Sequence, residues 1–242
     1  MNIVLMYHDI VTNNDMSSGF QDNAAFQYKV NIDQFEEQAK SLSADEVTFT
    51  FDDGGKSFLT IAAPILEKYG HRGIFFIATD YIGTPGFLSV KQIKELDARG
   101  HIIGSHSCSH PDNMSILSED DIETEWNASI KKLEEIVGCK VEYASIPNGF
   151  ASEVIYRKAK LVGIRYLYTS IPSDKIRIYK DMLLIGRYVV HSSMSSTAVL
   201  NLVHSAFARK QRYARYRIIE FVKFILGNKY NKFKKVIVQK YS

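Results

Sequence analysis

The sequence predicts an α/β fold in which helices cover a parallel β-sheet, and three observations support this. Apolar, β-prone runs of about four to six residues alternate with amphipathic stretches of about ten to twenty, as in strands joined by crossover helices. The chain has 242 residues, 45% of them hydrophobic, so it can bury a sizeable core. Polar residues of catalytic type directly follow several apolar runs. A closed or nearly closed (β/α) barrel fits this pattern, with an open doubly wound sheet as the alternative.

The strands are predicted from short runs rich in Val, Ile, Phe and Tyr. They lie at residues 3–8, 47–51, 73–78, 101–103, 141–146, 165–169 and 183–190. A segment rich in Asn, Asp, Ser and Gly at 13–23 is expected to form a loop over the mouth of the fold. In either architecture the functional groups belong at the C-terminal ends of the strands.

The helices are predicted from apolar residues at helical spacing and from residues that suit helix ends. They lie at residues 32–42, 58–69, 89–98, 118–137 and 153–161. Ser89 and Ser118 suit N-cap positions, and Gly70 and Gly138 suit the C-terminal ends of their helices. Pro64 has to lie in the first turn of its helix or kink it.

Charge divides the chain into two predicted units, residues 1–196 and residues 197–242. Eleven of the 30 Lys and Arg residues fall in the second unit, whose one acidic residue is Glu220. Apolar positions between the cations predict two helices there, the second basic and amphipathic. We expect this tail to contact an anionic membrane surface, to pack on the barrel or to pack on a second subunit. Nucleic acid is the least favoured partner, because nothing else in the chain supports it.

The location of the protein is predicted from three negative features of the sequence. The first ten residues have the pattern of a strand and lack that of a signal peptide. No run of about 18 apolar residues predicts a spanning helix. Two cysteines are too few for a disulfide framework, which favours a reducing compartment. The expectation is a cytoplasmic protein, reaching the inner face of the membrane if the tail binds there.

Two adjacent carboxylates, Asp52 and Asp53, end the predicted strand at 47–51 and precede Gly54 and Gly55. Adjacent residues of a strand point to opposite sides, so the two carboxylates serve one cavity only if the chain turns at the glycines. Two carboxylates in two environments suit two roles, one as a base and one as a metal ligand. The alternative is an Asp-Asp-Gly-Gly turn that only caps the strand.

Two histidines, His106 and His110, follow the predicted strand at 101–103. One helical turn would place residues four apart on one face, where two imidazoles often hold a divalent metal together with a distant carboxylate. Cys108 would point away from that face and is interpreted as a buried or half-buried thiol. Two histidines at this spacing are by themselves weak evidence for a metal site. Two polar clusters at the ends of two strands are more specific evidence.

These motifs carry a family resemblance. The sequences TFDDG at 50–54 and HSCSH at 106–110 resemble the first two motifs of the polysaccharide deacetylases, the NodB-homology domain of carbohydrate esterase family 4. Segments 4–10, 75–77 and 143–149 are similar to the opening strand, a core strand and the third motif of that family. The resemblance spans residues 1–196. It implies a distorted seven-unit (β/α) barrel, to which this chain adds a C-terminal helical extension.

The resemblance also implies a set of site residues. Asp53, His106 and His110 would bind a divalent metal, most suitably Zn²⁺, with Fe, Co or Ni also compatible. Asp52 would act as the general base on the attacking water, and the backbone N–H of Asn148 would stabilise the oxyanion. The substrate would be an N-acetylated glycan that loses N-acetyl or O-acetyl groups. The predicted lack of a signal peptide favours a lipid-linked or nucleotide-linked precursor in polysaccharide biosynthesis.

The chain departs from the family pattern at two positions. Many members carry an Arg two residues before the proline of the third motif, where this chain has Ser145, so Asp52 lacks a named partner. The general acid of the last motif would be His191, with a solvated strand-end histidine as the alternative. That stretch aligns more naturally with an Arg-containing strand. Its Arg187 is expected either to reach the mouth of the barrel and pair with an acidic group or to lie on the surface. His8 is a further histidine that could face the site, although in the family it is more often structural.

The residues that would contact the sugar are not defined by the resemblance, because the fourth motif with its Asp and Trp is missing. Tyr81, Phe87 and Phe150 follow predicted strands and are interpreted either as stacking platforms for sugar rings or as ordinary core caps. Trp126, the one tryptophan, is interpreted as a packing residue of its helix.

Two functional hypotheses follow from the sequence. The favoured one is a metal-dependent hydrolase, because Asp52 and all three metal-ligand residues are present. The alternative is a catalytically impaired carbohydrate-binding pseudoenzyme on the same fold. Its motives are Ser145 and the uncertain general acid.

Overall fold

Short runs of branched and aromatic residues form the strands in the structure, a computed structural model that describes residues 2–226. Within that range the strands are β1 (Ile3–Tyr7), β2 (Ile10–Val11), β3 (Val30–Asn31), β4 (Val47–Phe51), β5 (Gly73–Ile77), β6 (Ile102–Ser105), β7 (Tyr143–Ser145), β8 (Tyr166–Tyr168), β9 (Arg177–Tyr179), β10 (Met182–Ile185) and β11 (Tyr188–Val189). Nine of them form one sheet in the order β11-β1-β4-β5-β6-β7-β8-β10-β9, and β2 pairs with β3. Every pair in the large sheet is parallel except β9–β10.

The two ends of the curved sheet are joined by a single stretch of chain. Strand β10 pairs with β8, and β11, which starts three residues later, pairs with β1 at the opposite end of the sheet. Only Gly186 and Arg187 lie between β10 and β11, so the sheet has to curl until its ends approach each other. A Cβ atom at Gly186 would lie 2.6 Å from the backbone oxygens of Ile171 and Ser173. The strand predicted at 183–190 is therefore two short strands, separated at a point where only glycine fits.

The curled sheet with covering helices confirms the predicted NodB-type barrel class over an open doubly wound sheet. The sheet contains nine strands of unequal length, and the count of seven units stays a prediction.

Helices follow the strands where the predicted patterns place them. Within residues 2–226 the α-helices are α1 (Ile32–Ser41), α2 (Ala63–Lys68), α3 (Val90–Ala98), α4 (Glu119–Val137), α5 (Glu153–Leu161), α6 (Ser196–His204) and α7 (Ala206–Leu226). The side chains of Ser89 and Ser118 accept hydrogen bonds from backbone N–H groups in the first turns of α3 and α4. Gly138 ends α4 in the left-handed conformation with a φ of 76°. Residues Phe58–Ala62 form a π-helical turn before α2, so the helix predicted at 58–69 consists of two parts.

The sheet separates a large outer core from a small inner one. The outer core lies between the sheet and the helices and includes Phe35, Phe49, Leu66 and Trp126. Trp126 is fully buried, which confirms its interpretation as a packing residue. The inner core consists of side chains from the concave face, namely Ile74, Phe76, Tyr168 and Ile185, with flanking residues of β1, β6, β7, β8 and β10. The inner core is small because polar side chains occupy the C-terminal end of the barrel interior.

The first helix of the predicted tail belongs to the main core. Val199, Leu202 and Val203 of α6 are buried in the outer core, and α6 packs on α1. Helix α7 follows directly, and its Arg209 pairs with Asp174 at 3.2 Å. No helix within residues 2–226 is both long enough and apolar enough to span a bilayer. The tail beyond residue 226 lies outside the described residues, and the unit boundary at 196/197 stays a prediction.

Candidate active site

Strand geometry brings polar residues from distant parts of the chain to one end of the barrel interior. Side chains alternate along a strand, so residues two positions beyond an inward-facing residue again face inward. Tyr143 and Ile185 pack on the inner core, which places Ser145 and Arg187 on the same side. Asp52 and His106 follow β4 and β6 and meet them there. The carboxyl ends of four parallel or adjoining strands thus supply one site, as predicted.

The chain turns at Asp53, which brings both aspartates to one cavity. Asp53 has a φ of 85° and Gly54 a φ of 98°, so the strand direction is abandoned immediately after Asp52. Both carboxylates line a cavity of about 270 Å³ together with His106, His110 and Asn148. The turn at the glycines, which a site shared by both aspartates requires, is therefore present.

Asp53, His106 and His110 form a cluster with the geometry of a metal site. One ligand atom from each lies within 4.8 Å of the other two. The Nε2 atoms of His106 and His110 lie 3.4 Å and 3.3 Å from Oδ1 of Asp53. One carboxylate and two imidazoles, with the rest of the cavity open, suit a divalent metal such as Zn²⁺. The chemistry of this donor set fits the metal that the sequence motifs predict.

The prediction that a helical turn carries the two histidines is wrong. Residues between β6 and the next helical turn form a loop in which Ser107 and His110 have φ values of 63° and 56°. The backbone N–H groups of Cys108 and Ser109 both donate to the carboxylate of Glu125 at 2.9 Å. These bonds from α4 hold a loop shape that directs both imidazoles at Asp53. Cys108 is half-buried, as predicted, and its thiol donates to Asp80.

Arg187 is the partner of Asp52 that the sequence left unnamed. Its Nη1 and Nη2 atoms lie 2.6 Å and 2.7 Å from the two carboxylate oxygens of Asp52, and the side chain is fully buried. The guanidinium also donates to the carbonyl of Thr169 and lies over the ring of Phe76. Of the two alternatives for Arg187, pairing with an acidic group is correct and a surface position is wrong. A different strand thus supplies the cation that is missing at Ser145.

Burial and charge act against each other on the pKa of Asp52. Burial raises the pKa of the carboxyl group, but the adjacent Arg187 and His106 charges outweigh it, so the pKa lies below the ordinary value. Asp52 is therefore an ionised carboxylate at neutral pH, as a proton acceptor has to be.

Ser145 connects the proposed base with one of the metal-ligand residues. Its hydroxyl lies 2.6 Å from Nδ1 of His106 and 3.2 Å from Oδ1 of Asp52. The backbone carbonyl of Ser145 also faces Nδ1 of His106, at 3.1 Å. Hydrogen bonding at Nδ1 fixes the orientation of the ring and leaves Nε2 to face Asp53. The small hydroxyl residue at 145 therefore orients His106, a candidate metal ligand.

The electrostatics of the cluster favour the ionised form of Asp53. Burial raises its pKa, but hydrogen bonds from His106 and His110 outweigh this and hold the pKa well below the ordinary range. Burial lowers the pKa of His110, and the hydrogen bond to Asp53 outweighs that in turn and raises it. A cation is thus favoured beside Asp53.

Three further predicted residues lie at different distances from this cluster. Asn148 lines the cavity and has a left-handed φ of 53°, and its side chain donates to the carbonyl of Pro111. His8 also lines the cavity, whereas His191 lines an adjoining cleft. The ring of Tyr28 lies between the two histidines, 4.5 Å from that of His8 and 5.0 Å from that of His191. The structure does not bring His191 into the cavity, and its role as the general acid stays a prediction.

The segment predicted at 13–23 does lie over the mouth of the fold. Its Phe20 contacts the ring of His110 with a centroid separation of 5.1 Å. Phe20 also packs edge-on against Tyr81 and Phe87, which makes an aromatic wall beside the metal-ligand residues. The ammonium group of Lys29 anchors this segment by donating hydrogen bonds to the backbone carbonyls of Met16 and Ser18.

Comparisons with known proteins identify the family to which this chain is related. The sequence pattern of the family described as polysaccharide deacetylase matches residues 39–167. An uncharacterized 30.6 kDa protein of Geobacillus stearothermophilus is 32% identical over 131 residues, covering 53% of this chain and 48% of that protein. The peptidoglycan-N-acetylmuramic acid deacetylase PdaA of Bacillus subtilis is 28% identical over 127 residues, covering 52% of this chain and 46% of that protein. The chain thus matches about half the length of these two relatives.

A solved structure supports the fold. The deacetylase PplD of Streptococcus pyogenes, determined in complex with acetate, superposes with a TM-score of 0.68 and 22% sequence identity. The superposition covers 84% of this chain and 98% of PplD. The family pattern matches more than half of the 242 residues, and this chain therefore belongs to the polysaccharide deacetylase family.

Proposed function

We propose that this chain is a metal-dependent hydrolase that removes acetyl groups from an N-acetylated glycan. The observation that carries the proposal is the combination of two features in one cavity. Asp53, His106 and His110 can hold a divalent metal, and the neighbouring Asp52 is kept ionised by Arg187. Family membership supports the same class of reaction, and the peptidoglycan substrate in the name of PdaA gives one candidate glycan.

The residues of the cluster fit the metal because their ligand atoms lie within 4.8 Å of one another at one cavity. Zn²⁺ is the metal we propose, and Fe, Co or Ni suit the same ligands. A bound metal would supply Lewis-acid activation of the acyl carbonyl and of the attacking water. His106 is oriented by Ser145, and the loop of His110 by Glu125.

The remaining steps fall to residues of the chain itself. We assign Asp52 as the general base, because it is ionised, buried and held in place by two bonds from Arg187. Asn148 lines the same cavity, and its backbone N–H is the proposed donor to the oxyanion of the tetrahedral intermediate. Phe20 lines the same cavity and packs on the ring of His110.

The proton that the leaving amine requires is assigned to His8 in preference to His191. His8 lines the cavity together with Asp52 and Asp53, so it lies near the proposed reacting groups. His191 packs on the ring of Tyr28 and lines the adjoining cleft, not the cavity. His8→Ala should therefore lower kcat at least tenfold more than His191→Ala. A larger effect of His191→Ala would return the acid role to His191.

The proposal is tested by separating metal binding from turnover. In Asp53→Ala both bound metal and acetate release should be lost. In Asp52→Asn the metal should be retained while acetate release falls by about 10²-fold or more, as expected for loss of a general base. Asp45→Asn, which changes an exposed acid outside the cavity, is the matched control and should behave as the wild type. Full acetate release by Asp52→Asn would refute its role as the base.

The alternative hypothesis of a catalytically impaired carbohydrate-binding protein loses the main observation that supported it. It depended on Asp52 having no partner at Ser145, and Arg187 is that partner. We therefore propose turnover, with substrate identity left to the acetate-release assay across peptidoglycan, chitin oligosaccharides and precursor sugars.

We also propose that α7 lies on an anionic membrane surface. Phe207, Ile218 and Phe221 are 70%, 64% and 63% exposed, and their spacing places them on one stripe of the helix. Lys210 and Arg217 border one side of this stripe, which suits anionic headgroups beside an apolar face. A second subunit and a cytoplasmic location stay predictions.

Vesicle sedimentation tests the membrane proposal. The full chain should bind vesicles containing phosphatidylglycerol more strongly than vesicles of phosphatidylcholine alone. Replacing Phe207, Ile218 and Phe221 by Ser should abolish binding. The matched control replaces the equally exposed Ile116, Leu161 and Ile178 by Ser and should leave binding intact. Equal binding by both triple variants would refute the proposal.

A further inference from the structure

A second cavity opens between α7 and the C-terminal end of the barrel, beside the catalytic one. Its volume is about 490 Å³, and its wall includes His191 from the barrel with Arg212 and Arg215 from α7. We refer to it as the α7 cleft. Ser170 and Val189 line both this cleft and the catalytic cavity, so the two spaces share a wall.

The two arginines that α7 contributes to the cleft have no carboxylate partner among residues 2–226, whereas Arg187, which also lines the cleft, is paired with Asp52. Among residues 2–226, neither Arg212 nor Arg215 forms an ion pair, although Arg209 one turn earlier pairs with Asp174. Arg212 is half-buried, and the one hydrogen bond it makes to the described residues goes to the weak acceptor Sδ of Met194, at 3.2 Å. No acidic residue lines the cleft. Partial burial of a guanidinium without a counter-charge is unfavourable, so the cleft attracts an anion.

The pKa shifts of Arg212 and His191 are consistent with an excess of positive charge in the cleft. Burial lowers the pKa of Arg212, and the neighbouring Arg215 lowers it further. Burial likewise lowers the pKa of His191, with further lowering by Arg212, His8 and Arg215. Positive charge accumulates here from three elements of the fold, and no described carboxylate offsets it.

We propose that the α7 cleft binds an oxyanion, a phosphate or a carboxylate, carried by the glycan whose acyl group enters the catalytic cavity. Arginine suits both groups because its planar donors match two oxygens at once. The shared wall at Ser170 and Val189 places the cleft directly beside the cavity that would hold the acyl group. The inference rests on the proposed deacetylase activity and narrows its substrates to acidic or phosphate-bearing acetylated sugars.

The test compares three sugars with the full chain loaded with Zn²⁺. They are N-acetylglucosamine, its 1-phosphate and N-acetylmuramic acid, which are neutral, phosphate-bearing and carboxylate-bearing. At least one anionic sugar should have a kcat/KM about tenfold or more above that of the neutral sugar, and the preferred one identifies the oxyanion. In Arg212→Gln/Arg215→Gln this ratio should fall towards one. It should not change in Lys131→Gln/Lys140→Gln, which removes two exposed charges elsewhere.

A ratio near one in the wild type, or a ratio unaffected by the arginine variant, would overturn the proposal. If no sugar releases acetate, the deacetylase proposal fails, and inorganic phosphate binding measured by calorimetry decides the cleft separately. Phosphate should then bind wild type and Asp53→Ala equally and bind Arg212→Gln/Arg215→Gln at least about tenfold more weakly. Binding that is lost in Asp53→Ala and kept in the arginine variant would place the anion at the metal ligands and refute the cleft.

Discussion

Replacing Arg187 by Met removes a buried charge while keeping an apolar side chain of similar length. Arg187 is fully buried and makes two short charge-assisted bonds to Asp52, at 2.6 and 2.7 Å, and a third bond to the carbonyl of Thr169. Removing one partner of a buried ion pair leaves the other charge uncompensated, which costs about 3–5 kcal/mol. Domains of this kind have total stabilities of about 5–15 kcal/mol. Arg187→Met should therefore fold but lose a large fraction of its stability.

Urea unfolding of the metal-free protein measures this loss. Trp126 is the only tryptophan and is fully buried, so its fluorescence reports the transition. The double variant Asp52→Asn/Arg187→Met contains neither charge. Its loss in free energy of unfolding should be smaller than the sum of the two single losses by about 2–3 kcal/mol, because the pair acts as a unit. Arg187→Lys is a second comparison and should recover only part of the lost free energy of unfolding, because one ammonium group cannot replace a bidentate guanidinium–carboxylate contact.

A loss below about 1 kcal/mol in Arg187→Met would refute the reasoning, because such a value is typical of exposed pairs. Strict additivity in the double variant would refute it as well, since it would show that Arg187 and Asp52 contribute independently. In that event the ionisation of Asp52 would need another cause.

Two further predictions concern the scaffold around the site. Hydrogen bonds from Arg99 lower the pKa of Glu67 to about 2, so its stabilising effect is present above the ordinary value of 4.5 and is lost as the pH falls towards 2. Because Glu67 is partly exposed, Glu67→Gln should cost only about 1 kcal/mol at pH 7, and urea titrations should show the difference closing between pH 4.5 and 2. Gly186→Ala should cost about 1–3 kcal/mol in the same assay, because its Cβ would lie 2.6 Å from the backbone oxygen of Ile171. A Cβ atom at Gly138 would have no atom within 4 Å, so Gly138→Ala should cost about 1 kcal/mol of unfolding free energy through its positive φ alone. A cost equal to that of Gly186→Ala would contradict the steric explanation.

The sequence predicted the sheet, its crossover helices and the meeting of Asp52, Asp53, His106 and His110, because these depend on local pattern. Apolar runs define strands, and parallel strands place their carboxyl ends together. Polar residues directly after such runs therefore had to converge. The motif resemblance then named the chemistry that the pattern alone left open.

What the sequence did not predict depends on contacts between distant residues. Arg187 lies 135 positions from Asp52, and nothing local distinguishes a buried arginine from an exposed one. An arginine inside an apolar run was nevertheless a signal, since such a residue is seldom buried without a partner. The loop shape at His106 depends on Glu125 from another helix, so the spacing of four suggested a helical turn that does not form. The order of motifs suggested His191 as the acid; packing places it in a cleft beside the cavity, and its role stays a prediction.

The central claim is that acetate release depends on a metal held by Asp53, His106 and His110. The most direct test adds Zn²⁺ stepwise to the metal-free full chain and measures bound metal and acetate release in the same samples. The account predicts that acetate release from an N-acetylated glycan rises in proportion to bound metal and saturates at about one equivalent per chain. Acetate release without metal, or one bound equivalent with no release from any N-acetylated glycan supplied, would contradict it.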